Sequence, residues 1–213
     1  MRRFPVFIRD HSLSIAMFGL FLLCFWGDSL ASWHLQNQLL ADHGKAALGY
    51  WQNFFSSSFL QQLASNWQAA FLQLMSLIVF SVILYQRGAS HSRDPKKHKS
   101  RRKKREEDAR FPWLYRNSLS VAFVLLFAVA FALHVVSGAF AYNEHLALQH
   151  RPAISFVAFL ASAKFWSSTL ETWQAEYLTI AVFIVLSAFL RQQDSPESKP
   201  TESDNRETGK TDD

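Results

Sequence analysis

Residues 117–143, NSLSVAFVLLFAVAFALHVVSGAFAYN, contain no Asp, Glu, Lys or Arg. A second uncharged stretch runs from Ala46 to Gln86. Both exceed the ~20 apolar residues that an α-helix needs to cross a bilayer. Of the 213 residues, 49% are hydrophobic and 18% are charged, against about 25% charged residues in a typical soluble domain. This segregation argues against a soluble enzyme with one core, and the single cysteine, Cys24, excludes an intramolecular disulfide.

The sequence repeats itself at an offset of 106 residues. Ser12-Leu13-Ser14 recurs as Ser118-Leu119-Ser120, and Trp67-Gln68-Ala69 recurs as Trp173-Gln174-Ala175. Without a gap, 22 of the 76 positions from Ser12 to Arg87 match the residue 106 positions later. We interpret this match as a tandem duplication and predict that both halves share one fold.

Each half contains two apolar runs that are long enough to span a membrane. Helices are predicted because backbone groups in lipid must pair within their own segment, and none of the runs alternates as a barrel strand does. The predicted spans are Leu13–Trp33, Leu63–Tyr85, Leu119–Ala141 and Leu170–Leu190. The predicted fold class is therefore an all-α membrane protein with four transmembrane helices, arranged as two tandem helical hairpins.

Four segments follow from this pattern. We predict a first two-span unit over 1–87, a basic linker over 88–114, a second two-span unit over 115–193 and a polar tail over 194–213. The tail contains no apolar side chain apart from its prolines, so it has nothing with which to form a core and is predicted to be disordered.

The distribution of basic residues predicts the orientation. Of the 22 Lys and Arg residues, 19 lie in the N-terminal segment, in the connection 86–116 and in residues 191–213, which predicts that both termini and the linker are cytoplasmic. Since each half has two spans, both halves enter the membrane in the same sense, as parallel repeats. The first span also resembles a signal peptide, but its counterpart lies mid-chain, so we predict that it is retained.

The two outer loops, about 33–62 and 142–169, are rich in aromatic residues. Their spacing predicts short amphipathic helices at the outer interface. The residues concerned are Tyr50, Phe54 and Phe59, with Phe156, Leu160 and Phe165 as counterparts. Trp67 and Trp173 are predicted to be interface anchors, with a binding surface as the alternative.

The linker carries a dense cluster of positive charge. Such a run cannot form a core and is predicted to be solvated. Beside a membrane it is attracted to anionic lipid headgroups by ~1 kcal/mol per basic residue. The alternatives are docking of an acidic protein partner and, less favoured without a folded recognition module, nucleic-acid binding. The candidate lipid-binding residues are Lys96, Lys97, Lys99, Arg101, Arg102, Lys103, Lys104 and Arg105.

Ionisable residues within the spans are candidates for function because burying them is costly. They are Asp28, His134, Glu171 and Glu176. Asp28 and His134 are 106 residues apart and occupy equivalent positions, so they should lie at equal depth and could pair; the alternative is that water reaches both. Glu176, whose counterpart is Ala70, either points into the bundle or reaches up to water.

Signals of catalysis or of a cofactor are weak. The chain contains no His-Glu-x-x-His motif, no paired cysteines and no glycine-rich phosphate loop. Glu144, His145 and His150 could be imagined as metal ligands, but a chain with 8 histidines is expected to cluster some by chance. We therefore predict no metal, no cofactor and no enzymatic activity.

Several motifs carry a family resemblance. Tyr142-Asn143-Glu144, His150-x-Pro152, Trp173-Gln174-Ala175-Glu176-Tyr177-Leu178 and Ser195-Pro196-Glu197-Ser198-Lys199 are the specific ones. With these motifs the chain resembles a family of small bacterial integral membrane proteins defined only as a domain of unknown function. The resemblance covers nearly the whole chain. It implies a multi-pass protein of the bacterial inner membrane and no particular chemistry.

Two functions of different classes are compatible with the sequence. The first is a non-enzymatic structural or accessory membrane protein, with a homo-oligomer as one possible form. The second is a small transporter or channel that uses Asp28, His134 and Glu176. Substrate, partner and oligomeric state do not follow from the sequence.

Overall fold

The structure is a computed structural model that describes residues 6–92 and 110–208. Over these residues it is all helical, without strands. The helices are α1 (Val6–Asp10), α2 (Ser12–Asp42), α3 (Tyr50–Phe54), α4 (Ser57–Ile83), α5 (Trp113–Arg116), α6 (Ser118–Leu148), α7 (Phe156–Leu160) and α8 (Ala163–Phe189). Four of them, α2, α4, α6 and α8, are long and apolar enough to cross a membrane. The prediction of an all-α chain with four candidate spans is confirmed.

The long helices extend beyond the predicted spans at their outer ends. α2 continues to Asp42 instead of ending at Trp33, and α4 begins at Ser57 instead of Leu63. The two outer loops are therefore shorter than the predicted loops, about 33–62 and 142–169. The helices extend further because polar residues beyond each apolar run also adopt helical conformation. Hydropathy therefore predicts the apolar part of a helix but not its ends.

Local hydrogen bonds fix the outer end of each of the four long helices. Ser56 and Ser162 cap α4 and α8, where each hydroxyl accepts a hydrogen bond from a backbone N–H 3.2 Å away. The ends of α2 and α6 are closed by a backbone turn with a left-handed residue, Gly44 (φ 64°) in one and His150 (φ 55°) in the other.

One asparagine in each half connects a long helix to the loop that follows it. The Asn37 side chain bonds both the N–H and the carbonyl oxygen of Leu48, at 2.8 and 3.1 Å. Asn143 does the same to Ile154, at 2.9 and 3.1 Å. Each loop thereby turns its aromatic residues back toward the helices.

The four long helices pack unequally. α4 lies against α6 along much of its length and also contacts α8. α2 lies on the outside and reaches α4 through aromatic side chains, such as Phe25 against Phe59. The buried core lies between α6, α7 and α8 and is formed by Val135, Ala139, Phe159 and Phe165.

The outer surface of the long helices is apolar. Leu23, Ile83, Val129 and Leu178 are 62–78% exposed. A monomer in water does not sustain apolar patches of this extent, because they would drive association. Such a surface is typical of helices that contact lipid.

Candidate functional site

The most buried ionisable side chain in the spans is His134 on α6, which is 1% exposed. Its Nε2 lies 3.1 Å from the Thr169 hydroxyl, and its Nδ1 lies 3.4 Å from the Gln61 carbonyl oxygen. The ring stacks on Phe165 with centroids 5.6 Å apart. His134 therefore joins α6 to both α4 and α8.

The hydrogen bonds around His134 limit its protonation state. Thr169 Oγ1 also lies 2.9 Å from the Phe165 carbonyl oxygen, and a hydroxyl has one hydrogen to donate. If that hydrogen goes to Phe165, His134 Nε2 must carry a proton. If it goes to Nε2, the proton of a neutral ring sits on Nδ1 and points at Gln61. Only the second arrangement satisfies both nitrogens of a neutral imidazole, because in the first the unprotonated Nδ1 faces the Gln61 carbonyl oxygen and both atoms are acceptors.

His134 forms the floor of a cleft of about 230 Å³ between α4, α6 and the start of α8. The volume suits a small polar molecule or several waters. Among its lining residues Lys164 supplies the positive charge, and none is a carboxylate. The polar lining comprises Ser58, Gln61, His134, Tyr142, His145, Lys164 and Ser168.

Asp28 lies apart from His134 and does not pair with it. Its carboxylate accepts a hydrogen bond from Gln62 Nε2 at 3.0 Å, within the first half of the chain. His134 makes its side-chain bond to Thr169 within the second half. Asp28 thus contacts α4 of its own hairpin, whereas His134 contacts both α8 of its own hairpin and α4 of the first half. The two side chains form no hydrogen bond or ion pair with each other, although equal depth is predicted for them.

The two glutamates of α8 differ in exposure. Glu171 is exposed, whereas Glu176 is half-buried. Glu176 accepts a hydrogen bond from Gln73 Nε2 at 2.9 Å, but through its backbone oxygen and not its carboxylate. Within the described residues, the side chains of Asp28, His134 and Glu176 form no hydrogen bond or ion pair with one another.

The two tryptophans have different surroundings. Trp173 Nε1 donates to the side-chain oxygen of Gln68 at 2.8 Å and so connects α8 to α4. Trp67 packs on Phe21 of α2, with ring centroids 6.2 Å apart. The Trp173–Gln68 contact was not predicted, although the Trp-Gln pair in both halves could have drawn attention to it. Interface anchoring by both residues stays a prediction.

No group of three or more His, Cys, Asp or Glu side chains that could hold a metal ion occurs in 6–92 and 110–208. Neither a curated protein nor a solved structure matches the chain. A family model does: the one described as Domain of unknown function (DUF6766) matches residues 4–210. The chain belongs to the DUF6766 family. The resemblance to an uncharacterised family over nearly the whole chain is thereby confirmed.

The basic linker of this DUF6766 protein contains the candidate lipid-binding residues. The predicted lipid-binding residues Lys96, Lys97, Lys99, Arg101, Arg102, Lys103, Lys104 and Arg105 lie outside the described residues. Their attraction to anionic lipid stays a prediction.

At the opposite end of the helices from the His134 cleft, the tail contacts the turn that follows α4. His91 pairs with the Glu197 carboxylate, and Ser90 Oγ donates to the Glu197 carbonyl oxygen at 2.9 Å. His91 and Glu197 are themselves 106 residues apart. We name this contact between 86–92 and 190–208 the clasp.

A buried lysine organises the tail side of the clasp. Lys199 is 2% exposed, and its Nζ donates to the backbone oxygens of Asp204, Asn205 and Glu207 at 3.1–3.4 Å. Burial lowers the pKa of Lys199, and the nearby Arg191 lowers it further, while Glu207 and Asp204 act in the opposite direction. Composition alone predicts a disordered tail, and this disorder stays a prediction.

We expect Gly88→Ala to release the tail from the clasp. Gly88 has φ 86°, and a Cβ there would lie 2.4 Å from the backbone oxygen of Asn205. Limited proteolysis should then cut 198–208 much faster than in the wild type. Gly44→Ala is the matched control, because Gly44 has φ 64° but nothing within 4 Å; it should cost about 1 kcal/mol of backbone strain and leave the tail protected. Equal cleavage of wild type and Gly88→Ala would contradict the clasp.

Proposed function

We propose that this protein is a non-enzymatic structural or accessory protein of the bacterial inner membrane, built as two tandem parallel hairpin units. The observation that carries the proposal is the surface of the four long helices. Their exposed side chains are large and apolar, whereas Gln68 and His134 are buried and bonded within the protein. A scaffold that faces lipid needs this arrangement and no catalytic group.

The spacing of the helices supports the duplication. α2, α3 and α4 have the lengths of α6, α7 and α8, and each pair begins 106 residues apart. The bonds that end the helices recur at the same offset: Asn37 with Asn143, and Ser56 with Ser162. Two unrelated hairpins would have no reason to share these details.

The charge distribution supports the orientation. The linker and both termini hold most of the basic residues, which places them in the cytoplasm under the positive-inside rule. The clasp then lies on the cytoplasmic side, next to a linker that attracts anionic lipid headgroups or an acidic partner. α3 and α7, with the aromatic residues Tyr50 and Phe156 at their starts, then lie at the outer interface.

A small transporter or channel is the second candidate, and the His134 cleft is the observation that favours it. The cleft lining carries Lys164 and no carboxylate, so it is poorly suited to a cation. Asp28 and Glu176, the acidic residues such a pathway would use, do not line it.

Ion flux distinguishes the two candidates. We expect vesicles containing the purified full-length protein to pass protons and common cations no faster than empty vesicles. Flux above that background, abolished by Glu176→Gln and retained in the exposed control Glu171→Gln, would replace the structural role with the transporter.

A further inference from the structure

The contact between the two halves is one-sided. α4 of the first half packs against α6 and α8 of the second half, and over residues 6–92 and 110–208 no helix repeats this packing on α8 or α2. The faces that correspond to this contact are therefore open. On α4, Ala64 and Gln68 are fully buried. Their counterparts on α8, Leu170 and Gln174, are exposed.

The same holds for the other side of the contact. Ala130 and Gly138 of α6 are buried, and a Cβ at Gly138 would lie 3.3 Å from Gln61 of α4. Their counterparts on α2 are Cys24, which is exposed, and Ser32, which is half-buried. The chain thus has two open faces. One lies on α8 and corresponds to the buried face of α4; the other lies on α2 and corresponds to the buried face of α6.

A hydrogen-bonding pair is repeated across these open faces. Inside the chain, Trp173 Nε1 of the second half donates to Gln68 of the first. The sequence repeats both partners, as Trp67 and Gln174. In the part of the chain that the structure describes, neither the Trp67 indole nor the Gln174 amide has a hydrogen-bond partner. A Trp N–H and an amide at membrane depth are stabilised by finding one.

One pair of hydroxyl groups that bond inside the chain is replaced by two apolar residues on the open faces. Inside the chain, the Ser76 hydroxyl lies 2.9 Å from the Tyr177 hydroxyl. The counterparts of these two residues are Val182 and Phe71. Both hydroxyls are lost together, so the equivalent contact would be apolar on both sides and would leave no unpaired polar group.

We propose that a second copy of this chain covers the open faces, with α8 of one protomer packed against α2 and α4 of the next. The contact would repeat the packing of α4 against α6 and α8, with Trp67 of one protomer donating to Gln174 of the other. Such head-to-tail contacts produce a closed ring or an open filament. The inference rests on the proposed duplication. Glu171, the counterpart of the buried Ser65, makes this contact weaker than the internal one.

Chemical cross-linking in native membranes tests the proposal. The variant Trp67→Cys with Gln174→Cys, in a Cys24→Ser background, is treated with a short bis-maleimide. We expect a ladder of dimers and larger multiples. Either cysteine alone should give none, because head-to-tail packing brings position 67 to position 174 and not to itself. A monomer band only, or cross-linking of Trp67→Cys to itself, would overturn the proposal.

A second pair of cysteine substitutions tests the internal contact separately from the proposed assembly. Gln68→Cys with Trp173→Cys should cross-link within one chain. If that pair fails, the internal contact and the proposed duplication lose their support; if it succeeds while the 67–174 pair fails, only the assembly is wrong.

Single-molecule photobleaching in lipid bilayers counts the protomers in each complex without replacing Trp67 or Gln174 by cysteine. Wild-type complexes should contain two or more protomers, and Gln174→Leu should weaken their association about fivefold, as expected for one lost hydrogen bond. Single protomers in the wild type would overturn the proposal.

Discussion

Gly138→Leu is expected to separate α4 from α6 and to destabilise the protein by about 3 kcal/mol, the upper range for overpacking a core. A Cβ at Gly138 would lie 3.1 Å from Phe159 Cζ and 3.3 Å from Gln61 Cγ. Both distances are tighter than ordinary side-chain contacts, so Phe159 and Gln61 would have to move to admit a leucine side chain. Glycine at this position is what allows the side chains of Phe159 and Gln61 to lie directly against α6.

The measurement is thermal or denaturant unfolding of the purified protein in detergent. Gly19→Leu is the matched control, because nothing lies within 4 Å of a Cβ at Gly19 on α2. Its counterpart in the second half is already a leucine, Leu125, which is 61% exposed. The control should unfold like the wild type. Equal stability of Gly138→Leu and wild type would mean that α4 and α6 do not pack as described.

Phe165→Ala is expected to destabilise the protein by about 3 kcal/mol, at the lower end of the cost of truncating a buried aromatic residue. Phe165 is 2% exposed, and its ring lies 5.3 Å from Phe159 and 5.6 Å from His134. Lipid is as apolar as the core, so the expected loss arises from the cavity and the missing dispersion contacts and not from transfer out of water.

The control for this substitution is Phe140→Ala on α6. Phe140 is 64% exposed on the outer surface of the helix, where lipid fills the space that the ring leaves. Unfolding of that variant should differ little from the wild type. If Phe140→Ala costs as much as Phe165→Ala, the distinction between the core and the lipid-facing surface is wrong.

The four long apolar helices were predictable because an uncharged apolar run of sufficient length to cross a bilayer has few alternatives to a helix. Their outer ends were not, because they depend on individual side-chain hydrogen bonds. Asn37 bonds Leu48, eleven positions along the chain, and Ser56 caps α4. Neither bond leaves a hydropathy signal.

The predicted duplication indicates equal depth but not which side chains meet. Asp28 and His134 are 106 residues apart, yet Asp28 bonds Gln62 and His134 contacts Thr169 and Gln61, without a bond between the two. His91 and Glu197 are also equivalent, and they do pair. Equivalent residues meet only where the two halves come together, as they do at the ends of α4 and α8. That position follows from how α4 packs on α8, which the sequence offset does not specify.

The hydrogen bonds of the tail could not be predicted from its composition. Residues 194–208 have no apolar side chain apart from two prolines, but Lys199 is enclosed by backbone oxygens of its own segment. A polar turn of this kind depends on hydrogen bonds and on the neighbouring Gly88, not on hydrophobicity. Composition records neither.

Labelling of single cysteines from outside intact cells tests the central claim, four spans in two parallel units, most directly. In a Cys24→Ser background, an impermeant maleimide should label Ala47→Cys and Ala153→Cys, which are exposed counterparts in the two outer loops. It should label Ser100→Cys, in the linker, only after the cells are permeabilised. Labelling of Ser100→Cys in intact cells, or of only one of the two loop positions, would contradict the account.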